Sequence, residues 1–316
     1  MYFIINKIII DFIFIFDMKQ ENNLNENKEL SSCLSYYENE ELFKFYSLIS
    51  SSQELKNEIY KIKNKQFLEY EESTINFFLT ELNDKETYTK VKGSKINSSF
   101  RKYENNIILK FETDIEVNII DLISIIYEIE NYKKWCPYTE ISENLSQPGK
   151  AKKCAYFVLN IPIITNRDFL VYGFGINRIK ENGTVLLLSR SINENTNCFI
   201  NEFNMKKNSK FIRGDMPIFG LEMKQINHNK IHIRGLADVN PKLNFIPQFI
   251  IDFLTVKIAE VFLLKFIDIV KNYKGSEYEN KNPSQIDNQF YNFIKRELSL
   301  NQNENKEIEN NKNNTL

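Results

Sequence analysis

The residues able to do acid, base, nucleophilic or metal chemistry are few and scattered. His228 and His232 are the two histidines, in or beside one turn, with no carboxylate or cysteine cluster near them in sequence. A catalytic triad needs a base oriented by a carboxylate, and a metal site needs three or four converging donors; neither pattern stands in that stretch. The four cysteines, Cys33, Cys136, Cys154 and Cys198, are widely separated and form no C-x-x-C pair. Neither a disulfide framework nor a thiolate zinc site is expected, and a reducing compartment is the natural reading. No G-x-S-x-G elbow and no phosphate-binding loop occurs. Gly173-Phe174-Gly175 carries Arg178 where a dinucleotide fingerprint has its third glycine, and it continues as a strand instead of opening a helix. The acidic pairs Asp114 with Glu116 and Glu140 with Glu143 read as solvated faces, because 26% of the chain is charged. The expectation is a binding module with no catalytic residues, no metal and no cofactor.

The elements that would position a binding site are much clearer. With 316 residues and 42% hydrophobic content, the chain can bury the core of one large domain or two small ones. Lys and Arg number 41 against 42 Asp and Glu, so the net field gives no reason to expect nucleic acid as the partner. Asparagine occurs 42 times, so Asn clusters carry little weight as turn signals. The apolar run Tyr2 to Phe16 is broken by Lys7 and Asp11, well short of the about 20 apolar residues that span a bilayer. It also lacks a basic leading region and a small-residue cleavage site. Met18 is a second candidate start, followed by a polar leader. A cytoplasmic protein, peripheral at membranes, is expected, with secretory entry if residues 1–17 act as a signal.

The expected organisation is an apolar stretch and disordered leader over 1–36, a helical extension over 37–65, a main domain over 66–274, and over 275–316 a linker, a short amphipathic helix and a disordered tail. Apolar spacing predicts helix over Leu42 to Tyr60, interrupted near Ser50 to Ser52, and again over Phe67 to Leu82. Tyr88 to Lys92, Asn97 to Tyr103 and Ile107 to Thr113 read as strands, followed by a helix from Ile119 to Ile129 that closes over Asn131 to Trp135. Six further strands are expected, over Cys154 to Leu159, Phe169 to Ile179, Val185 to Ser191, Lys207 to Arg213, Phe219 to Ile226 and Lys230 to Val239. A long helix follows from about Ile246 to Tyr273, with Pro247 in its first turn. Its charges Lys257, Glu260, Lys265, Asp268 and Lys271 fall within an arc of roughly 140° at 100° per residue, and the rest is apolar. The Ser284 and Asp287 pair, followed by Phe290, Phe293, Ile294 and Leu298, predicts an appended helix able to dock or to touch a partner. The element order is that of an α+β fold with one antiparallel sheet around the long helix, leaving a hollow between them.

Five short motifs occur along this frame: Tyr132-Lys133-Lys134-Trp135, Asn166-Arg167-Asp168-Phe169, Ser189-Arg190-Ser191, Ile212-Arg213-Gly214 and Val239-Asn240-Pro241 before Ile246-Pro247-Gln248-Phe249. In order and spacing they resemble the StAR-related lipid transfer (START) domain of the helix-grip superfamily, over about Phe67 to Tyr273, and among its members the phosphatidylcholine-transfer type. The resemblance implies a helix-grip fold, with a hydrophobic tunnel that holds a single lipid and is gated by the C-terminal helix. It implies no enzyme activity. Its sterol-type members place an acidic and a basic residue on adjacent strands, at positions that look like Cys154 and Gly173 here, so a sterol salt bridge is not implied. Tyr156 matches an aromatic position suited to flanking a choline by cation–π contact. The acidic residue that follows the tryptophan in the phosphatidylcholine transfer protein is replaced by Cys136, while Lys133 or Lys134 offers the basic group. A phospholipid is slightly favoured over a sterol.

The lipid-binding residues so implied are Trp135, Tyr156, Arg167, Asp168, Arg190, Arg213, Phe249, Ile250, Phe253 and Leu254. Each has a plain alternative: Arg167 with Asp168 as a structural ion pair, Trp135 as a core plug, Arg190 and Arg213 as exposed strand residues, and the four helix residues as core. Two other readings stand beside lipid transfer: a lipid-regulated interaction or sensor module working through the flanking helices, and a small-molecule enzyme on the same scaffold. The expected partners are a single lipid ligand, a transient membrane surface, and a protein on the flanking helices.

Overall fold

The computed structural model describes residues 28–91, 96–103, 106–160, 165–192, 210–227, 229–240, 242, 248–276, 279 and 288–297, with backbone alone over 248–259. The chain divides into two compact units, 1–69 and 70–316, with the boundary inside α4 (Lys65–Asn83). The first unit is helical: α1 over 28–38, α2 (Leu42–Ser51) and α3 (Gln53–Ile62). Leu42, Phe45, Tyr46 and Ile49 recur at helical spacing and are buried, which is why α2 forms there. The expected interruption falls at Ser52, whose hydroxyl accepts from the Leu55 amide at 3.2 Å and so caps α3. The stretch expected to be a disordered leader up to residue 36 contains most of α1, in which Cys33 is fully buried. The apolar run 1–17, Met18 and the tail 301–316 lie outside the described residues.

The second unit is built on one sheet. Its strands are β1 (Thr89–Lys90), β2 (Asn97–Tyr103), β3 (Asn106–Ile115), β4 (Thr139–Gly149), β5 (Lys152–Leu159), β6 (Arg167–Arg178), β7 (Thr184–Ser191), β8 (Ile212–Arg213), β9 (Asp215–Asn227) and β10 (Lys230–Asn240). They pair in the order β1-β2-β3-β10-β9-β7-β6-β5-β4, all antiparallel, and β8 adds to β6 in parallel. The strand over 139–149 was not expected from the sequence. It is an edge strand with Pro148 and three register irregularities, and an edge needs no apolar alternation. The strand expected over 207–213 appears as Ile212–Arg213, with 207–209 outside the described residues.

Helices connect and cover the sheet: α5 (Ile119–Tyr127), a 3-10 turn (Ile129–Asn131), α6 (Tyr132–Trp135), α7 (Ile179–Asn182), α8 (Gln248–Lys271) and α9 over 288–297. Asn118 caps α5, its side chain accepting from the Ile120 amide at 2.8 Å. On one face α5 and α8 pack together, with Leu122, Ile123, Leu263, Phe266 and Val270 in one cluster with Met223 and Ile233 of the sheet. The opposite face is covered by α4 from Tyr70 onward. Phe78 lies over Gly220, where a Cβ would come within 2.5 Å of its ring, so only glycine permits that approach.

The α4 face is closed by buried charges. Lys152 meets Glu71 at 2.9 Å, with side chains 7% and 0% exposed, and the Tyr172 hydroxyl donates to Glu71 at 2.5 Å. At the other end Lys110 donates to the Glu81 carbonyl at 2.6 Å and also to the Asp84 carbonyl, placing a cation where the α4 dipole is negative. Asp238 on this face is fully buried; Tyr103 donates to one of its oxygens, and the other has no partner among the described residues. Burial, with Asp215 and Glu81 adding to it against Tyr103 and Arg101, pushes the Asp238 carboxyl up to about 6.

Removing one partner of a buried ion pair strands the other, so Glu71→Ala should lose about 3 to 5 kcal/mol in urea unfolding, and Glu71→Leu with Lys152→Met should recover most of it. For Asp238 the raised folded value means the ionised form opposes folding. Relative to Asp238→Asn, the natural chain should therefore lose stability as pH rises from 3.8 to about 6, and the difference should level off above that.

Candidate functional site

Strand pairing decides which residues share a face, because successive side chains alternate. Lys153, Gly173, Ser189 and Phe219 are consecutive partners across β5, β6, β7 and β9, and so form one row. Ala155, Val171 and Phe169 belong to the same face and form a small cluster with Ile129, packed by Phe157, Leu159, Met216 and Val239. Leu159 pairs with Arg167 at the end of that wall. This is the α8 face.

Its centre is open. Phe219 is 36% exposed although it sits in the middle of the sheet, between Ile218 at 0% and the buried Gly220, which face α4. Its neighbours Leu187, Ser189 and Gly173 also keep accessible surface, whereas Leu186, Leu188 and Tyr172 on the other face are at 2% or less. A Cβ on Gly173 would meet only Ser189, the Leu188 carbonyl and the Lys153 carbonyl, all of them sheet atoms. An apolar wall about 20 Å long, from Lys153 to Leu159 at about 3.3 Å per residue, borders this opening.

Two buried cations stand at its ends. Lys153, 6% exposed, donates to the Tyr127 carbonyl at 3.0 Å and lies 3.5 Å from the centre of the Tyr127 ring, closing the C-terminus of α5. Arg167 is 5% exposed and donates to the Thr165 carbonyl, and burial lowers its pKa. Trp135 closes the wall from α6, its ring 5.8 Å from Phe266 of α8 and 5.0 Å from Tyr132, which stacks on Phe157 at 5.5 Å. The Trp135 indole nitrogen is buried with no hydrogen-bond partner among the described residues.

This long helix against a mixed apolar and open sheet face was compared with known proteins. No family model matches the sequence, and no curated protein matches it. Among solved structures, human STARD10 superposes with a TM-score of 0.52 at 15% identity, over 66% of this chain and 84% of that one. Human StAR-related lipid transfer protein 5 does so at 0.56 and 13%, over 65% of this chain and 96% of that one. The chain has the START helix-grip fold.

Within that fold the register sorts the expected site residues onto two faces. Cys154, Tyr156, Asp168, Arg190 and Arg213 all face away from α8, on the α4 face. Arg213 binds Asp168 through two nitrogens at 3.0 and 2.8 Å, and Tyr156, 1% exposed, donates to the same carboxylate at 3.2 Å. The expected pairing of Arg167 with Asp168 is thus replaced by Arg213 with Asp168. Neighbours on a strand point to opposite faces, while parallel β8 sets Arg213 beside Asp168 on one face. Arg190 lies 5.3 Å from the Tyr70 ring and donates to Ser73 of α4 at 3.5 Å. Gly173 pairs across strands with Lys153, while Cys154 pairs with Tyr172, so Cys154 and Gly173 lie on opposite faces of the sheet. Lys153 escaped the sequence reading because Lys152-Lys153 looks like a charged surface, whereas each lysine is buried on its own side of the sheet.

The side chains of Phe249, Ile250, Phe253 and Leu254 lie outside the described residues, on the described backbone of α8. His232 sits 2.7 Å from Asp114, brought there by β3 pairing with β10, and both are solvent-exposed; His228 lies outside the described residues. Among the described residues no group of three or more His, Cys, Asp or Glu converges as a metal site would, and no helix is long and apolar enough to cross a membrane.

Because Asp168 is buried and Arg213 is its bidentate partner, Arg213→Met should cost about 3 to 5 kcal/mol of stability in urea unfolding, as expected of a structural pair.

Proposed function

We propose that the protein is a non-enzymatic lipid-binding and lipid-transfer protein that holds one lipid between the α8 face of the sheet and α8. The observation that carries this reading is the accessible Phe219, Ser189 and Gly173 row in the centre of the sheet, where Leu186, Leu188 and Tyr172 on the other face are at 2% or less. The START fold, shared with a human protein whose name records lipid transfer, supports it. Burying each methylene is worth about 0.8 kcal/mol against water, but a bilayer offers acyl chains nearly the same environment. Selection therefore falls to the few polar groups on the wall.

Those groups favour a phospholipid. The Trp135 indole is a donor only, and a buried N–H left without an acceptor costs about 1 to 3 kcal/mol, which a phosphate or ester oxygen removes. Arg167 adds a guanidinium on the same face, and Thr139, Leu159 and Arg167 form one cross-strand row that begins four residues after Trp135. A sterol-type acid and base pair is replaced by Lys153 opposite Gly173. The gate in this reading is the first half of α8, the segment that carries Phe249, Ile250, Phe253 and Leu254. The protein works at the cytoplasmic face of a membrane, bound only while it exchanges its cargo.

Native mass spectrometry of the purified chain, followed by organic extraction, tests this. A stoichiometric phospholipid is expected, with Ser189→Trp losing it at an unchanged urea midpoint. By contrast Cys154→Trp, on the packed face, should lower stability by about 1 to 3 kcal/mol through overpacking. A chain that carries no lipid and moves none between vesicles would end the proposal.

A further inference from the structure

Helix α9 follows the long helix and lies beyond the order of elements that the START frame requires, yet it is not a loose appendage. Phe290 and Ile294, four residues apart on one side of α9, are 2% and 4% exposed and belong to the same cluster as Leu263, Phe266 and Val270 of α8. The Phe290 ring stacks on the Tyr127 ring of α5, centroids 4.2 Å apart and planes 9° from parallel. Tyr291 packs edge-on against Tyr127 and donates to Glu128 at 3.0 Å. At its end, Glu297 accepts from Asn177 of β6 at 3.3 Å and lies 3.9 Å from Lys180 of α7. The helix is thus fastened to three elements that are not α8, while Phe290 and Ile294 belong to one hydrophobic core with the second half of α8.

We propose that α9 is an intramolecular latch that pins the second half of α8 to α5 and the β6–β7 hairpin, so that opening is confined to the first half of α8. Lifting all of α8 would break the shared cluster with Phe290 and Ile294, whereas lifting residues 248–259 leaves Leu263, Phe266 and Val270 in place. The mechanical statement stands on packing alone; its functional consequence, that α9 limits exchange, rests on the lipid-binding reading.

The test uses the full chain, without added lipid, and follows backbone hydrogen exchange over 263–271 and 288–297. Phe290→Ala with Ile294→Ala should raise exchange over 263–271 by at least about tenfold, the equivalent of 1.4 kcal/mol. If that chain fails to fold, Tyr291→Phe, which removes the hydroxyl that donates to Glu128, should raise it about fivefold. Loss of protection over 288–297 with natural protection over 263–271 would overturn the latch. In parallel, transfer of a fluorescent phosphatidylcholine between phosphatidylcholine vesicles should be faster in the loosened variants, and an unchanged rate would overturn the functional consequence. If the natural chain transfers nothing, the lipid reading fails while hydrogen exchange still decides the latch.

Discussion

A carboxylate with no access to water, Glu71, held by Lys152 and Tyr172, fixes α4 to the sheet, and what lies on the other face follows from it. A sheet strand sends every second residue to each face. On the face that α4 covers, Asp168 is met by Arg213 and Tyr156, Glu222 by Arg234 and Lys110 by the end of α4, while Asp238 keeps one oxygen without a partner among the described residues. Such pairs add little net stability over apolar substitutes, but they are intolerant of losing one member, and a slipped register would orphan all of them. The register that satisfies them is the one that turns Gly173, Ser189 and Phe219 toward α8.

The α8 face is organised differently. One end is solid, where α5, α8 and α9 share a core with Ile231 and Ile233 of β10. The other end carries Ala155, Phe157, Phe169 and Val171 beside a row that keeps solvent access. Packing density of this kind is uneven for a reason: a core position gains from every neighbour, and a surface left accessible in the middle of a sheet gives up that gain unless something else fills it. The Trp135 nitrogen carries the same logic in polar terms, since a buried donor is expensive until an acceptor arrives.

Motion is distributed along the same axis. Helix α8 is long enough, at 24 residues and about 1.5 Å each, to run from the open end of the face to the packed end. Its later turns place Leu263, Phe266 and Val270 in one buried cluster with residues of α5 and α9, the kind of shared core that opens least readily. The connection of binding to dynamics lies in that division of one helix between two environments.

The sequence alone determined most element types and their order, because hydrophobic period and turn chemistry are local and survive without knowledge of partners, and five short motifs carried the START resemblance. It also excluded the common catalytic motifs, which depend on residue type and spacing. The edge strand β4 was invisible to it, since an edge carries no apolar pattern, and α1 was hidden in a polar segment. The faces were not legible at all: of the residues expected to bind lipid, Trp135 and Arg167 fall on the α8 side, whereas Tyr156, Asp168, Arg190 and Arg213 fall on the α4 side, and Lys153 joins the α8 side. A motif names neighbours along the chain, but the face a strand residue occupies depends on register across strands, and register is set by contacts between residues far apart in sequence, such as Glu71 with Lys152. Only the tertiary structure supplies those contacts.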